Sequence, residues 1–193
     1  AFSLQNSWYI NGFYDGLSLF GEKGNDADAG MVFPKDGADI TSYLVDVVAN
    51  PNFSNDDGAS GLAAIKDGSA DVLFSGTWSA KDVKEALGDN YAATSLPTFT
   101  VNGQKKQMKS FAATKAAAYN PNAKNPKAAA QFAAYLGSTE AQKLHYEMRA
   151  IPPTDKSLSD LTTDDVAAKA QADTMANTAL LQSGLSGMND WWT

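Results

Sequence analysis

The sequence predicts an α/β fold in which helices cover short extended segments. Segments with apolar residues at helical spacing alternate with short apolar or small-residue runs that lack that period. Pro51, Gly68, Pro97 and Gly137 mark the ends of such segments. A hydrophobic content of 44% against 19% charged residues is that of a packed domain rather than a disordered chain. At 193 residues the chain can bury a substantial core.

"DGADITSYLVDVVANP" sets Ile40, Leu44, Val47 and Val48 at helical spacing, starts near Asp36 and is stopped by Pro51. "ASGLAAIKDGSADVLFSG" predicts a short helix through Leu62 and Ile65, a stop at Gly68, and a buried strand over Val72, Leu73 and Phe74. A helix follows Trp78, with Val83 and Leu87 one turn apart, and "NYAATSLPTF" reads as an extended segment ending at Pro97. "MKSFAATKAAAYNP" is extended and rich in small residues. "NAKNPKAAAQFAAYLGS" has Asn125 as N-cap, Pro126 at the first helical position and Gly137 as the stop. Ser138 or Thr139 opens the next helix, with Thr139 and Gln142 able to form a capping box and Leu144 and Met148 on one side. It runs to "AIPPT", where two prolines enforce an extended exit. "TTDDVAAKAQADTMANTALL" is a last helical region opened by Thr162 or Thr163, and "QSGLSGMNDWWT" is a loop leading to Trp191 and Trp192.

A net charge of -7 argues against nucleic-acid binding, which needs a clustered basic face. No apolar run is long enough to cross a bilayer. Zero cysteines exclude disulfides, thiolate metal sites and a cysteine nucleophile, and leave the compartment open. The start "AFSLQNSWY" and the end "MNDWWT" both read as cut positions of a longer chain.

Signatures of catalysis are sparse. The single histidine, His145, has no second histidine with which to build a zinc site or a triad, and it reads as a structural or surface residue. Asp56 and Asp57 lack the alternating ligands and closing glutamate of a calcium loop and read as a solvated turn and helix cap. Phosphate-cradling, dinucleotide and nucleophile-elbow motifs are absent, and no cofactor or metal is implied. What stands out is aromatic residues in polar, glycine-rich settings: "NSWYINGFY", "SGTWS" and "MNDWWT". A sugar ring has an apolar C–H face and a hydroxyl rim, so flat aromatics beside amides and hydroxyls suit it. Taken singly, each of these rings serves equally well as an aromatic capping the core.

The same residues carry a family resemblance. "FSLQNSWYINGFYDG", "SGTWS", "TSLPTF", "NPKAAAQFAAYL" and "STEAQ", in that order and at similar separations, resemble the maltose/maltodextrin-binding proteins of bacterial ABC importers. The resemblance implies a type II periplasmic-binding-protein-like fold: one α/β lobe with helices covering a mixed sheet, and part of a second lobe. It implies that residues 1–96 are the first part of a C-terminal lobe, 97–152 a hinge crossing with an N-lobe excursion, and 153–193 the return. It makes Trp8 and Trp78 sugar-stacking residues, with Trp191 or Trp192 at a third stacking position and Tyr9 beside the cleft. Asn6 falls where the family's better-known member has a carboxylate, so the charge-assisted bond to a sugar hydroxyl becomes an amide bond.

The function implied is non-catalytic binding of maltodextrin-type oligosaccharide for an ABC permease, at the cell surface on a lipid anchor or in the periplasm. Another oligosaccharide or solute, a carbohydrate-active enzyme fragment and a structural interaction domain remain the alternatives. The excursion's unpaired strands and apolar helix faces are expected to be covered by another chain, a rearrangement or disorder.

Overall fold

The computed structural model describes residues 1–112 and 115–192, and the side chains of all of these except Leu181 and Trp192. Its centre is the chain's first turn. Helix α1 (Ser7–Ile10) runs into a 3-10 turn over Asn11–Phe13, and this unit is embedded in aromatic side chains. Phe13 meets Phe2 at 5.5 Å between ring centres and Phe99 at 5.2 Å, both edge to face, and Tyr43 at 6.3 Å. Phe2 also meets Phe74 edge to face at 5.6 Å. Such pairs add modestly to the area term that dominates a core.

Around this centre the strands come in pairs. β1 (Ser18–Leu19) is antiparallel to β2 (Met31–Val32). β3 (Thr98–Val101) is antiparallel to β4 (Gln104–Gln107), with Phe99 opposite Lys106. β5 (Ser110–Ala112) is parallel to β6 (Ala179–Leu181), with Phe111 opposite Leu180. The β3–β4 hairpin closes on Asn102 and Gly103, with φ of 51° and 75°. Two successive positive φ values match the right-handed twist of the strands, which is why Asn-Gly suits this loop. Two ion pairs tie this region back to the first part of the chain, Lys106 to Asp36 at 2.6 Å and Lys109 to Asp15 at 2.8 Å.

The helices largely follow the sequence reading. α2 (Gly37–Ala49) buries Ile40 and Leu44 and packs on β3. α3 (Ser60–Asp67) ends at Gly68 with φ of 78°, and α4 (Ala80–Leu87) packs on α3. α5 (Pro126–Leu136) begins and ends as predicted, although the Asn125 side chain makes no capping bond.

Six readings are corrected. Val72–Phe74 is extended but is not a strand, and Val72 is exposed. It makes only a single parallel contact, in which the Phe74 amide donates to the Ala1 carbonyl and the Ala1 amine to the Val72 carbonyl. α6 (Thr139–Arg149) is capped by Ser138, whose hydroxyl accepts from the Ala141 amide, so Gln142 lies one residue too far along for a capping box. α7 (Val166–Asn177) is opened by Asp165, whose carboxylate accepts from the Ala167 and Ala168 amides, and not by Thr162 or Thr163. Ala179–Leu181 leaves the helix because β5 offers it a ladder. Asp56 is buried rather than solvated, accepting from the Gly58 and Gly61 amides at the head of α3. The final loop contains a short helix, α8 (Met188–Trp192).

α6 and α7 are joined by the Tyr146 hydroxyl, which donates to Asp165 at 2.9 Å. Desolvation, followed by that bond and the nearby charge, pushes the Tyr146 hydroxyl up to about 12. The folded state therefore holds this proton more tightly than the unfolded chain, whose tyrosine titrates near 10. The contribution is complete below pH 10 and is lost as pH rises towards 12. Tyr146→Phe is expected to remove this part of the alkaline loss of stability. Urea unfolding at pH 8 to 12 checks it; equal slopes for both proteins would contradict the assignment.

Candidate functional site

The predicted ligand residues fall on α1 and its cap, on the turn that carries Trp78, and on α8. Asn6 caps α1: its Oδ1 accepts the Trp8 amide at 2.9 Å, which satisfies one of the donors a helix start leaves open. The cap leaves the amide nitrogen of this exposed side chain as its remaining polar group. Trp8 is half-buried, its ring tilted 48° against Phe111 of β5 at 5.4 Å. Tyr9 lies edge-on to Phe2 at 6.2 Å. Burial raises the pKa of its hydroxyl, a hydrogen bond with Ser75 opposes that shift, and the charge of Asp56 adds to it.

Ser75 precedes the turn that carries Trp78. Its hydroxyl pairs with the Ser79 hydroxyl at 2.9 Å, spanning the 3-10 turn Thr77–Ser79. Trp78 stands at the middle of that turn with 64% of its surface exposed. Its ring folds back over Gly76, where an added Cβ would come within 2.2 Å of ring carbon Cζ3. Gly76 is in an ordinary extended conformation, φ -104°, so the demand for glycine is steric rather than conformational. Gly76→Ala is accordingly expected to displace the Trp78 ring while changing the unfolding temperature little. Near-ultraviolet circular dichroism of the tryptophans, read beside the melt, checks it; an unchanged tryptophan signal would show that the ring is not seated on Gly76.

α8 is the third element and contacts α1. Trp191 is half-buried, tilted 44° against Phe33 at 5.4 Å. Its Nε1 is buried and has no hydrogen-bond partner among the described residues. Trp192 ends α8, and its side chain lies outside the described residues. α1 thus carries Asn6, Trp8 and Tyr9 together and touches α8, while the Trp78 turn packs on α4 and α7. Trp78 offers an open aromatic surface, whereas Trp8 and Trp191 spend part of theirs on neighbouring rings.

Sequence reading missed the supporting residues. Ser75 and Ser79 are visible in "SGTWS" only as polar neighbours; that they bracket the turn depends on its 3-10 geometry. Phe111 and Phe33 are remote in sequence, and nothing local marks them as partners of Trp8 and Trp191.

A cavity of about 210 Å³ lies elsewhere, walled by Phe2, Phe13, Tyr43, Phe53, Phe74 and Phe99. None of Asn6, Trp8, Tyr9, Trp78 and Trp191 lines it. Trp78 itself is open to solvent. Among the described residues, no group of histidine, aspartate or glutamate side chains could hold a metal ion, and no helix is long and apolar enough to cross a membrane.

Comparison with known proteins agrees with this architecture. Among solved structures, one described as "with acarbose" matches with a TM-score of 0.91 and 38% identity, over 98% of this chain and 51% of that one. The maltodextrin-binding protein MalE1 from L. casei BL23, solved without ligand, matches in fold with a TM-score of 0.78 and 24% identity, over 98% of this chain and 52% of its own. The chain thus spans about half the length of both solved structures. No curated protein matches it. The model of the bacterial extracellular solute-binding proteins covers residues 2–175. The expected lobe of a solute-binding protein is what the chain forms, and the chain belongs to the family of bacterial extracellular solute-binding proteins.

Proposed function

We propose that this chain is the aromatic half of a non-catalytic oligosaccharide-binding protein that delivers glucans of the maltodextrin type to an ABC importer outside the cytoplasm. The observation that carries the reading is Trp78, a large ring left 64% exposed on a glycine seat in a chain of this family. An exposed ring held by its backbone in this way costs hydrophobic surface that a sugar face would cover. The structure with acarbose, an oligosaccharide analogue, is 38% identical to the chain and supports a sugar as the ligand class. The paired arrangement of Trp8, Tyr9 and Asn6 on α1 supports a site in which one ring stacks and an amide nitrogen donates to a hydroxyl oxygen.

A solute-binding protein encloses its ligand by rotation of two lobes about a hinge. Of the crossings expected near 97 and 152, the second is kept in this proposal and the first moves beyond β5. Phe99, Val101, Met108 and Phe111 share a core with Phe2 and Phe13, which supports counting β3 to β5 with the body and α5 with α6 as the part that swings.

The test is titration of tryptophan fluorescence with maltotriose and longer glucans, on a protein of the relatives' full length, followed by chromatography of the sugar. Saturable quenching with the sugar recovered intact is expected. Hydrolysis would make the protein an enzyme, and no response would remove the oligosaccharide.

A further inference from the structure

The α5–α6 pair is held to the rest of the chain by polar groups rather than by apolar packing. No residue of α5 is buried, and Ala141 alone is buried in α6. Phe132 and Met148, which could have anchored the pair, are 62% and 61% exposed. The chain leaves α6 through Ala150, a non-glycine residue at φ 51°, and then passes Pro152 and Pro153, which fix its direction.

Immediately beyond the prolines the chain is caught by α6 itself. The Gln142 Oε1 accepts from the Thr154 amide at 2.9 Å, the Thr154 hydroxyl at 3.1 Å and the Asp155 amide at 3.0 Å. Its Nε2 donates to the Gly137 carbonyl at 2.9 Å, so both ends of one amide are committed. The Thr139 hydroxyl donates to Asp155 Oδ2 at 2.5 Å, while Asp155 Oδ1 caps the following 3-10 segment through Ser157. A rigid entry, a left-handed bend and a polar clasp lie within one turn of each other.

We propose that Gln142 and Thr139 form a latch on Thr154 and Asp155 that fixes the angle of the α5–α6 pair against the body. Gln142 and Thr139 are then positioning residues for lobe closure, touching no ligand. The latch rests on the reading above that this pair swings. Removing it frees the Pro-Pro segment to pivot, while the Tyr146 bond to Asp165 keeps α6 attached.

The experiment is distance measurement by pulsed electron paramagnetic resonance on the full chain. Because the sequence has no cysteine, Lys84→Cys on α4 and Gln131→Cys on α5, both exposed, are its only attachment points for the spin labels. The expected result is a broader, displaced distance distribution in Gln142→Ala and a smaller change of the same kind in Thr139→Val. Hydrogen exchange at Thr154 and Asp155 should accelerate about tenfold in Gln142→Ala with little change at α1, since each of these two amides loses its bond to Gln142 and the loss is local. An unchanged distribution in both variants overturns the latch, and so does unchanged exchange. If Gln142→Ala fails to fold, Thr139→Val decides. Failure of the parent protein to bind maltotriose would remove the sugar reading alone, because the distance distribution is measured without sugar.

Discussion

Trp78→Ala is expected to weaken glucan binding about ten- to a hundredfold while leaving the unfolding temperature nearly unchanged. Burial of a large apolar side chain contributes about 1.5–3 kcal/mol, and each 1.4 kcal/mol is a factor of ten in affinity. Because 64% of the Trp78 surface is exposed without ligand, most of that burial is available to a sugar and little of it supports the fold. The two readouts therefore separate, which they would not do for a core tryptophan. Calorimetric titration of the full-length protein is the proper measurement, since removing the ring also removes a fluorophore. An equal dissociation constant for the variant would show that this ring is not the platform.

The separation also explains why Trp78 was legible as a candidate and its neighbours less so. A tryptophan among serine, threonine and glycine has no apolar periodic background to pack on, and the sequence says so locally. Trp191 stands in a similar polar setting, yet its ring packs on Phe33, more than one hundred and fifty residues earlier. Trp8 leans on Phe111 in the same way. Local texture identifies a ring without neighbours in sequence; it is silent about neighbours supplied by the fold.

The elements follow the same division. α2 and α5 carry their own period and their own stops, so Pro51, Pro126 and Gly137 bound them well. The Asn-Gly hairpin between β3 and β4 was equally local and could have been read from that dipeptide. β6 could not, because "TALL" continues the preceding helix in composition and becomes a strand only where β5 lies parallel to it. Val72–Phe74 differs in the opposite sense: its apolar run predicts a buried strand, but among the described residues its backbone pairs only with Ala1. Strand formation is a property of pairs, and one chain segment carries half of the information.

Phe13→Ala is expected to cost about 3–5 kcal/mol, the range for emptying a buried aromatic position. For a chain of this length that lowers the unfolding temperature by about 10 °C. Phe13 is 6% exposed, and its ring touches those of Phe2, Tyr43 and Phe99, which come from three separate stretches of sequence. A cavity of about 210 Å³ walled in part by the same rings already lies beside it, so truncation enlarges space that is empty in the parent. Phe132→Ala supplies the contrast, since that ring is 62% exposed on α5 and its loss should change stability by less than about 0.5 kcal/mol. Phe13 also closes the 3-10 turn that continues α1, so its removal loosens the element that carries Asn6, Trp8 and Tyr9. Sugar affinity should therefore fall together with stability in Phe13→Ala, whereas in Trp78→Ala it falls alone. Parallel chemical unfolding and calorimetric titration of the three variants would read this out. A Phe13→Ala protein with parent-like stability would mean that the aromatic cluster around α1 is not the core of the fold.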